Sequence, residues 1–366
     1  MDANASEPLR PEARAAFVNA LDIIGNPSSI HAAGRVARRL MEDARETIAR
    51  CFGGTASELI FTSGGTEADA LAVHALGMQR HVLIGSTEHD AIRAAAPDAL
   101  IVPVDAQGVV DLAALNEILM ERKPPLLLCL MLANNETGTI QPVTEAAALC
   151  RQHGAVMHVD AVQAAGRIDV NLAALGVHSI AVSSHKLGGP AGAGALLLAP
   201  DAPHIVPLIR GGGQERGRRG GTPPVAAIAG FAAAAEVACA HPDRPDLAAM
   251  RDAAERSAIA CGAVVCGGAA PRLGNTTSLA LPGVRADAQV IALDLEGVAV
   301  SAGAACSSGK VTASHVLAAM GLGRLAGEAI RVSLPWNATM ADVEAFAAAY
   351  ARMAARLRPA LVPRVA

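Results

Sequence analysis

The sequence has no apolar run approaching the ~18 residues that a membrane span needs. Its opening, MDANASEPLRPEAR, has neither the basic start nor the apolar stretch of a secretory signal. Both absences lead to the expectation of a cytoplasmic protein with no membrane partner. No two of the seven cysteines form a CxxC pair, and their number is odd. That excludes a regular disulfide framework and the usual zinc spacings, and it fits free thiols in a reducing compartment. A large charge imbalance is also missing: the net charge is −4 with 17% charged residues, so composition gives no reason to expect general affinity for nucleic acid or acidic membranes. There is no repeat of fixed period. What is present is 366 residues, 52% of them apolar with much of that alanine. Single cores stop growing near ~250–300 residues, so a chain of this length is expected to form two domains.

From about residue 55 to 240, short apolar runs alternate with helical patterns, as in an α/β domain with a mostly parallel sheet. The candidate strands are LIFTS (59–63), HVLIGS (81–86), LLLCLML (126–132), AVMHVD (155–160) and HSIAVSS (178–184). Between them lie helices such as VTEAAALCRQHG (143–154), where Gly154 stands where a C-cap glycine would. After GGGQERGRRGGTPP (211–224), Ala-rich helical sequence runs to about 260, broken by HPDRPD (241–246). The expected division is a large domain over 12–242 and a smaller α+β domain over 243–366, joined by 1–11. In the latter, NTTSLAL (275–281) and VAVSAG (298–303) read as strands. ASHVLAAMG (313–321) and AIRVSL (329–334) read as helical, and a final helix runs from about 340 to 357.

In an open parallel sheet, ligands bind beyond the carboxyl ends of the strands, and in this chain polar residues collect at all five. FTSGGTEAD places Gly64, Gly65 and Thr66 at a helix start, which is either an anion cradle or an ordinary cap. STEHD supplies His89, as a ligand-facing imidazole or a surface histidine. LANNETG supplies Asn134, Asn135 and Glu136, a turn-forming set that can also bind a ligand. HVDAVQ ends with Asp160 at a depth where a carboxylate needs a cation or strong donors, followed by Gln163. SSHKLGGPAGAG brings Ser183, Ser184, His185 and Lys186 to the fifth end, and a lysine partly desolvated there becomes an amine nucleophile. An anion cradle, a carboxylate, an imidazole, amides and an amine together match the needs of one ligand, pyridoxal 5′-phosphate. A further thiol, Cys306 in SAGAACSSGK, sits among small residues as a nucleophile, a metal ligand or an inert turn cysteine.

These segments carry a family resemblance. GNPSSIHAAGR (25–35), FTSGGTEAD (61–69), TEH (87–89), NNETG (134–138), HVDAVQ (158–163), SSHKLGGPAGAGAL (183–196), GGGQERGRRGGT (211–222), SAGAACSSG (301–309) and IRVSL (330–334) occur in this order over nearly the whole chain. The chain resembles the cysteine desulfurases of the iron-sulfur-cluster and nitrogen-fixation types, pyridoxal-phosphate enzymes with the class V aminotransferase fold (fold type I). Two departures stand out: the chain reaches DANAS without the strand residues usual before it, and STEHDAIRAAAPDALIVPVDAQG is compact between His89 and the next strand.

The resemblance implies a role for each matching residue. Lys186 would be the Schiff-base lysine, Asp160 the partner of the pyridine nitrogen, and His89 the ring-stacking group that also moves protons. Gln163 and Asn135 would contact the ring oxygen, Asn135 also lying near the substrate carboxylate. Gly65, Thr66, Ser183 and His185 would hold the phosphate, joined by Thr222 from the other subunit of a homodimer. Arg331 would grip the substrate carboxylate, for which a guanidinium fork is apt. Cys306 would attack the sulfur of L-cysteine, giving alanine and a persulfide. That sulfur would pass to an acceptor protein, an iron–sulfur scaffold or a sulfur carrier. The small residues around Cys306 would let it swing between cofactor and acceptor. The competing readings are a selenocysteine lyase, another class V transaminase or lyase without the thiol, and a non-catalytic scaffold. Lys310 is the alternative adduct-forming lysine. No metal is implied, and the basic QERGRRGG loop reads as a phosphate-facing dimer loop and not as a nucleic-acid site.

Overall fold

The structure, a computed structural model, describes residues 1–242, 244–303 and 313–358. Cys306 and Lys310 therefore lie outside the described residues. Two sheets organise the chain. The first holds β1 (Leu59–Thr62), β2 (His81–Gly85), β3 (Leu100–Val102), β4 (Leu126–Met131), β5 (Val156–Asp160), β6 (Ser179–Ser183) and β7 (Gly194–Leu198), in the spatial order β1-β7-β6-β5-β4-β2-β3. All neighbours are parallel except β7, which runs antiparallel to both β1 and β6. The second holds β8 (Val264–Cys266), β9 (Thr276–Ala280), β10 (Ser301–Ala302) and β11 (Ala329–Ser333), all antiparallel, in the order β10-β11-β9-β8.

The inner strands of the large sheet are buried along their whole length, as continuous apolar runs covered on both faces should be. Helices Pro11–Leu21, Ala32–Cys51 and Val225–Ala240 pack together on one side. Alanine in the last of these keeps the three helices close, and Ile228 and Phe231 supply its bulk. The small sheet has its own apolar cluster, in which Leu279, Ile330, Phe346 and Tyr350 are fully enclosed. Among the described residues no single helix is long and apolar enough to cross a membrane.

All five expected strands form. Three expectations need correction. AIRVSL, read as helical, is strand β11, paired with β9 from Ala329↔Ala280 to Ser333↔Thr276. VAVSAG forms only the two-residue strand β10. The compact stretch after His89 itself contains β3, which the sequence reading passed over along with β7. The first residues run beside β11 beyond the end of β10: Asp2 bridges to Ser333, and Ser333 N–H donates to the Met1 carbonyl at 3.0 Å.

Candidate active site

Parallel order puts the carboxyl ends of β1, β2, β4, β5 and β6 on one edge, and a cavity of about 660 Å3 opens there. Nine of the residues singled out from the sequence line it: Gly65, Thr66, His89, Asn135, Asp160, Gln163, Ser183, His185 and Lys186. Three further positions carry roles from the resemblance. Arg331 is not in the cavity wall, Thr222 is exposed away from it, and Cys306 is not described.

The anion end is built by helix Gly65–Leu76, whose first residues Gly65 and Thr66 line the cavity and whose first-turn N–H groups have no side-chain cap. Gly65 is required by close approach: a Cβ there would sit 2.6 Å from Val162 Cγ2. β6 ends beside it with Ser183, whose hydroxyl is buried and has no hydrogen-bond partner among the described residues. A buried hydroxyl without a partner is costly. Placed beside free helix-end N–H groups and the Thr66 hydroxyl, it suits a phosphate oxygen. His185 is held near 4 by burial and by the neighbouring Lys186 charge, so it is neutral at physiological pH and donates as an imidazole.

The floor is acidic. Asp160 accepts from the Val162 backbone N–H at 2.8 Å. Its carboxyl is pushed up to about 7, first by burial and then by the charge of Asp69, with His89 and Val162 N–H opposing. A cation with an acidic hydrogen would relieve that burial, as a pyridinium does. Asp69 lies in the same wall, also raised to about 7 by burial. Glu88 is fully buried and raised well above the usual carboxylate range; Met131 N–H donates to its Oε1 at 2.8 Å. Asp69 and Glu88 carry no role in the resemblance, although both lie inside its motifs, FTSGGTEAD and TEH.

On the third side runs the N-terminal segment, joined to the site by hydrogen bonds that no local sequence pattern foretells. Lys186 Nζ donates to the carbonyls of Asn4 and, at 3.0 Å, Ala5. Gln163 Nε2 donates to the Asn4 carbonyl at 3.0 Å. The Arg331 guanidinium is 4% exposed and lies just behind this segment. Its Nη2 meets Asp2 Oδ1 at 2.7 Å and its Nη1 meets the Asn135 carbonyl at 3.3 Å. His89 caps helix Asp90–Ala95, its Nδ1 accepting from Ala91 N–H at 3.1 Å, so the proton of the neutral ring resides on Nε2.

The class V aminotransferase family profile matches residues 1–346. An IscS-like cysteine desulfurase of Mycobacterium tuberculosis is 37% identical, over 94% of this chain and 93% of that protein. A cysteine desulfurase of Cereibacter sphaeroides is 38% identical over 94% and 92%. The chain belongs to the cysteine desulfurases of the class V aminotransferase family. Among solved structures, a NifS-like protein from Rickettsia africae superposes with a TM-score of 0.90 at 34% identity, covering 96% of this chain and 98% of that one. As a cysteine desulfurase the chain uses pyridoxal 5′-phosphate, and the residues present fit it: an anion cradle with an unpartnered hydroxyl at one end, an acid at depth, and an amine between them.

Proposed function

We propose that this cysteine desulfurase moves the sulfur of L-cysteine onto Cys306, with Lys186, Asp160 and His89 as the groups that serve the cofactor. The observation that supports this reading is the convergence of Lys186, Asp160 and the buried Ser183 hydroxyl on one cavity. When bound, pyridoxal 5′-phosphate supplies an electron sink for the carbanion at the substrate Cα. The protein does the rest. Lys186 would hold the cofactor aldehyde and, once released, take the Cα proton on Nζ. Asp160 would keep the pyridine nitrogen protonated, and His89 would lie on the ring face with its Nε2 proton available. Gly65, Thr66, Ser183 and His185 would hold the phosphate, and Asn135 and Gln163 the ring oxygen. Arg331 would receive the substrate carboxylate.

Cys306, as thiolate, then attacks the substrate sulfur: a sulfur–sulfur bond forms and the carbon–sulfur bond breaks. The carbon keeps the electron pair and takes a proton, so the products are alanine and a persulfide on Cys306. A sulfur-acceptor protein, an iron–sulfur scaffold or a sulfur carrier, would consume it. The six described cysteines are free, which supports a reducing, cytoplasmic setting.

A homodimer would bring Thr222 to the phosphate of the other subunit. Ile24 and Ile30, 86% and 89% exposed between helices Pro11–Leu21 and Ala32–Cys51, support an apolar face for a second copy. The division into 12–242 and 243–366 with 1–11 is supported by the separate apolar clusters of the two sheets. The assay is incubation of the reconstituted protein with L-cysteine, following alanine and protein-bound sulfur. Alanine without bound sulfur would remove Cys306 from the scheme.

A further inference from the structure

Beneath the cavity a chain of three polar side chains has no part in the scheme above. Asp69, one turn into helix Gly65–Leu76, places Oδ1 3.2 Å from His158 Nε2, and His158 Nδ1 lies 2.8 Å from Ser179 Oγ. His158 and Ser179 are register partners across β5 and β6, so the sheet fixes that contact. The side chains of His158 and Asp69 are 0% and 2% exposed. His158 and Asp160 stand two residues apart on β5 and therefore share a face of the sheet. Asp69 and Asp160 both line the cavity.

Two proton arrangements satisfy these distances. Either an ionised Asp69 accepts from His158 Nε2–H while Ser179 donates to Nδ1, or a protonated Asp69 donates to Nε2 while Nδ1–H donates to Ser179. The surroundings decide between them. Asp160 shares the wall, Glu88 is fully buried nearby, and the Asp69 and Asp160 charges act on Glu88. A second negative charge in water-excluded surroundings beside Asp160 is disfavoured. His158 is itself driven to its neutral form, near 4, by burial, so it brings no charge that would hold Asp69 ionised.

We propose that Asp69 is a positioning residue that carries a proton, donating it to His158 Nε2, so that with the cofactor bound Asp160 is the one ionised carboxylate beneath its ring. The consequence is directional. The imidazole is locked with its proton on Nδ1 toward Ser179, and the negative charge facing the pyridine nitrogen is confined to Asp160. Asp69 loses its proton as pH rises through about 7, the value to which burial lifts it. Above that, a second charge enters the wall and the cofactor's titration changes. The groups facing Asp69 during that change are His158 and Asp160 from β5, His89 before helix Asp90–Ala95, Glu88, and Cys129 on β4, whose thiol is itself raised by burial and then by the charges of Glu88 and Asp69.

This inference rests on Asp160 as the pyridine partner, and its test separates the two. Nitrogen-15 NMR of histidine-labelled protein, with the His158 signal assigned by its loss in His158→Gln, reads the tautomer directly, with and without the cofactor. The expected result at slightly acid pH is Nδ1–H in the wild type and in Asp69→Asn, whose amide also donates. Asp69→Ala is expected to revert to Nε2–H. Nε2–H in the wild type would overturn the proposal whatever Asp160 does. In the loaded enzyme, the cofactor's absorption in Asp69→Asn should coincide with wild type at slightly acid pH and diverge at alkaline pH. Displacement at every pH would make Asp69 ionised throughout, and coincidence at every pH would uncouple it from the cofactor; either refutes the proposal.

Discussion

Replacing Ser183 by alanine should push apoprotein stability and cofactor affinity in opposite directions. The Ser183 side chain is enclosed at 1% exposure, its hydroxyl meets no partner among the described residues, and its Cβ lies 3.5 Å from where a side chain on Gly65 would begin. A buried hydroxyl left without a hydrogen bond costs about 1–3 kcal/mol. Removing it should therefore leave the apoprotein as stable as before or up to that much more stable. Toward the phosphate the sign reverses. A hydrogen bond to a charged group contributes about 1.5–3 kcal/mol, and each 1.4 kcal/mol is tenfold, so affinity for pyridoxal 5′-phosphate should fall about 10- to 100-fold. Urea unfolding of the apoprotein and equilibrium titration with the cofactor measure the two halves separately. A Ser183→Ala apoprotein that loses stability, or that binds the cofactor as tightly as wild type, would refute the assignment of this hydroxyl to the anion.

Lys186→Ala should abolish the borohydride-trapped cofactor adduct; an undiminished adduct in that variant would move the role to another lysine, with Lys310 the first to test. Asp160→Asn tests the buried acid through pH. A carboxyl raised from 3.8 to about 7 in the folded state contributes stability at low pH that is lost as pH rises toward 7. The full effect is about 4 kcal/mol, so the stability of the wild-type apoprotein relative to Asp160→Asn should decline between mildly acid and neutral pH. A constant difference would show that Asp160 is not so raised. Glu215→Gln tests the anchor of the loop that carries Thr222. Glu215, at φ 47°, holds Arg45 through bonds of 2.8 and 2.9 Å and accepts from Phe61 N–H at 2.9 Å, with both charged side chains buried. Arg45 keeps Glu42 Oε2 at 3.1 Å from its Nε, so loss of the Glu215 charge should cost about 1.5–3 kcal/mol in urea unfolding. A loss below about 1 kcal/mol would mean that water already serves the pair.

The site was legible in the sequence wherever a strand announces its own end. LIFTS, LLLCLML and HSIAVSS are apolar runs that stop at polar clusters, and parallel order brings those clusters together. Periodicity failed where elements are short or buried on every side. β3 has three residues, and Ala329–Ser333 is buried throughout, so it shows no alternation to distinguish strand from helix. Asp69 escaped notice because its neighbours Ala68, Leu71 and Ala72 mark that face of the helix as core. The pairing of Asp2 with Arg331 joins residues 329 positions apart, and no local pattern records it. The role of Cys306 came from the resemblance alone, since SAGAACSSGK has no physical signature that separates a nucleophile from a thiol on a turn.

The central claim is that this chain strips sulfur from L-cysteine and holds it on Cys306. Intact-mass measurement of the cofactor-loaded protein after L-cysteine, with alanine quantified in parallel, tests it most directly. Alanine should appear while the protein gains the mass of one sulfur atom, sensitive to thiol reductant, and Cys306→Ala should keep the cofactor's absorption band but lose the added mass. No alanine from the wild type, or the same bound sulfur in Cys306→Ala, would contradict the account.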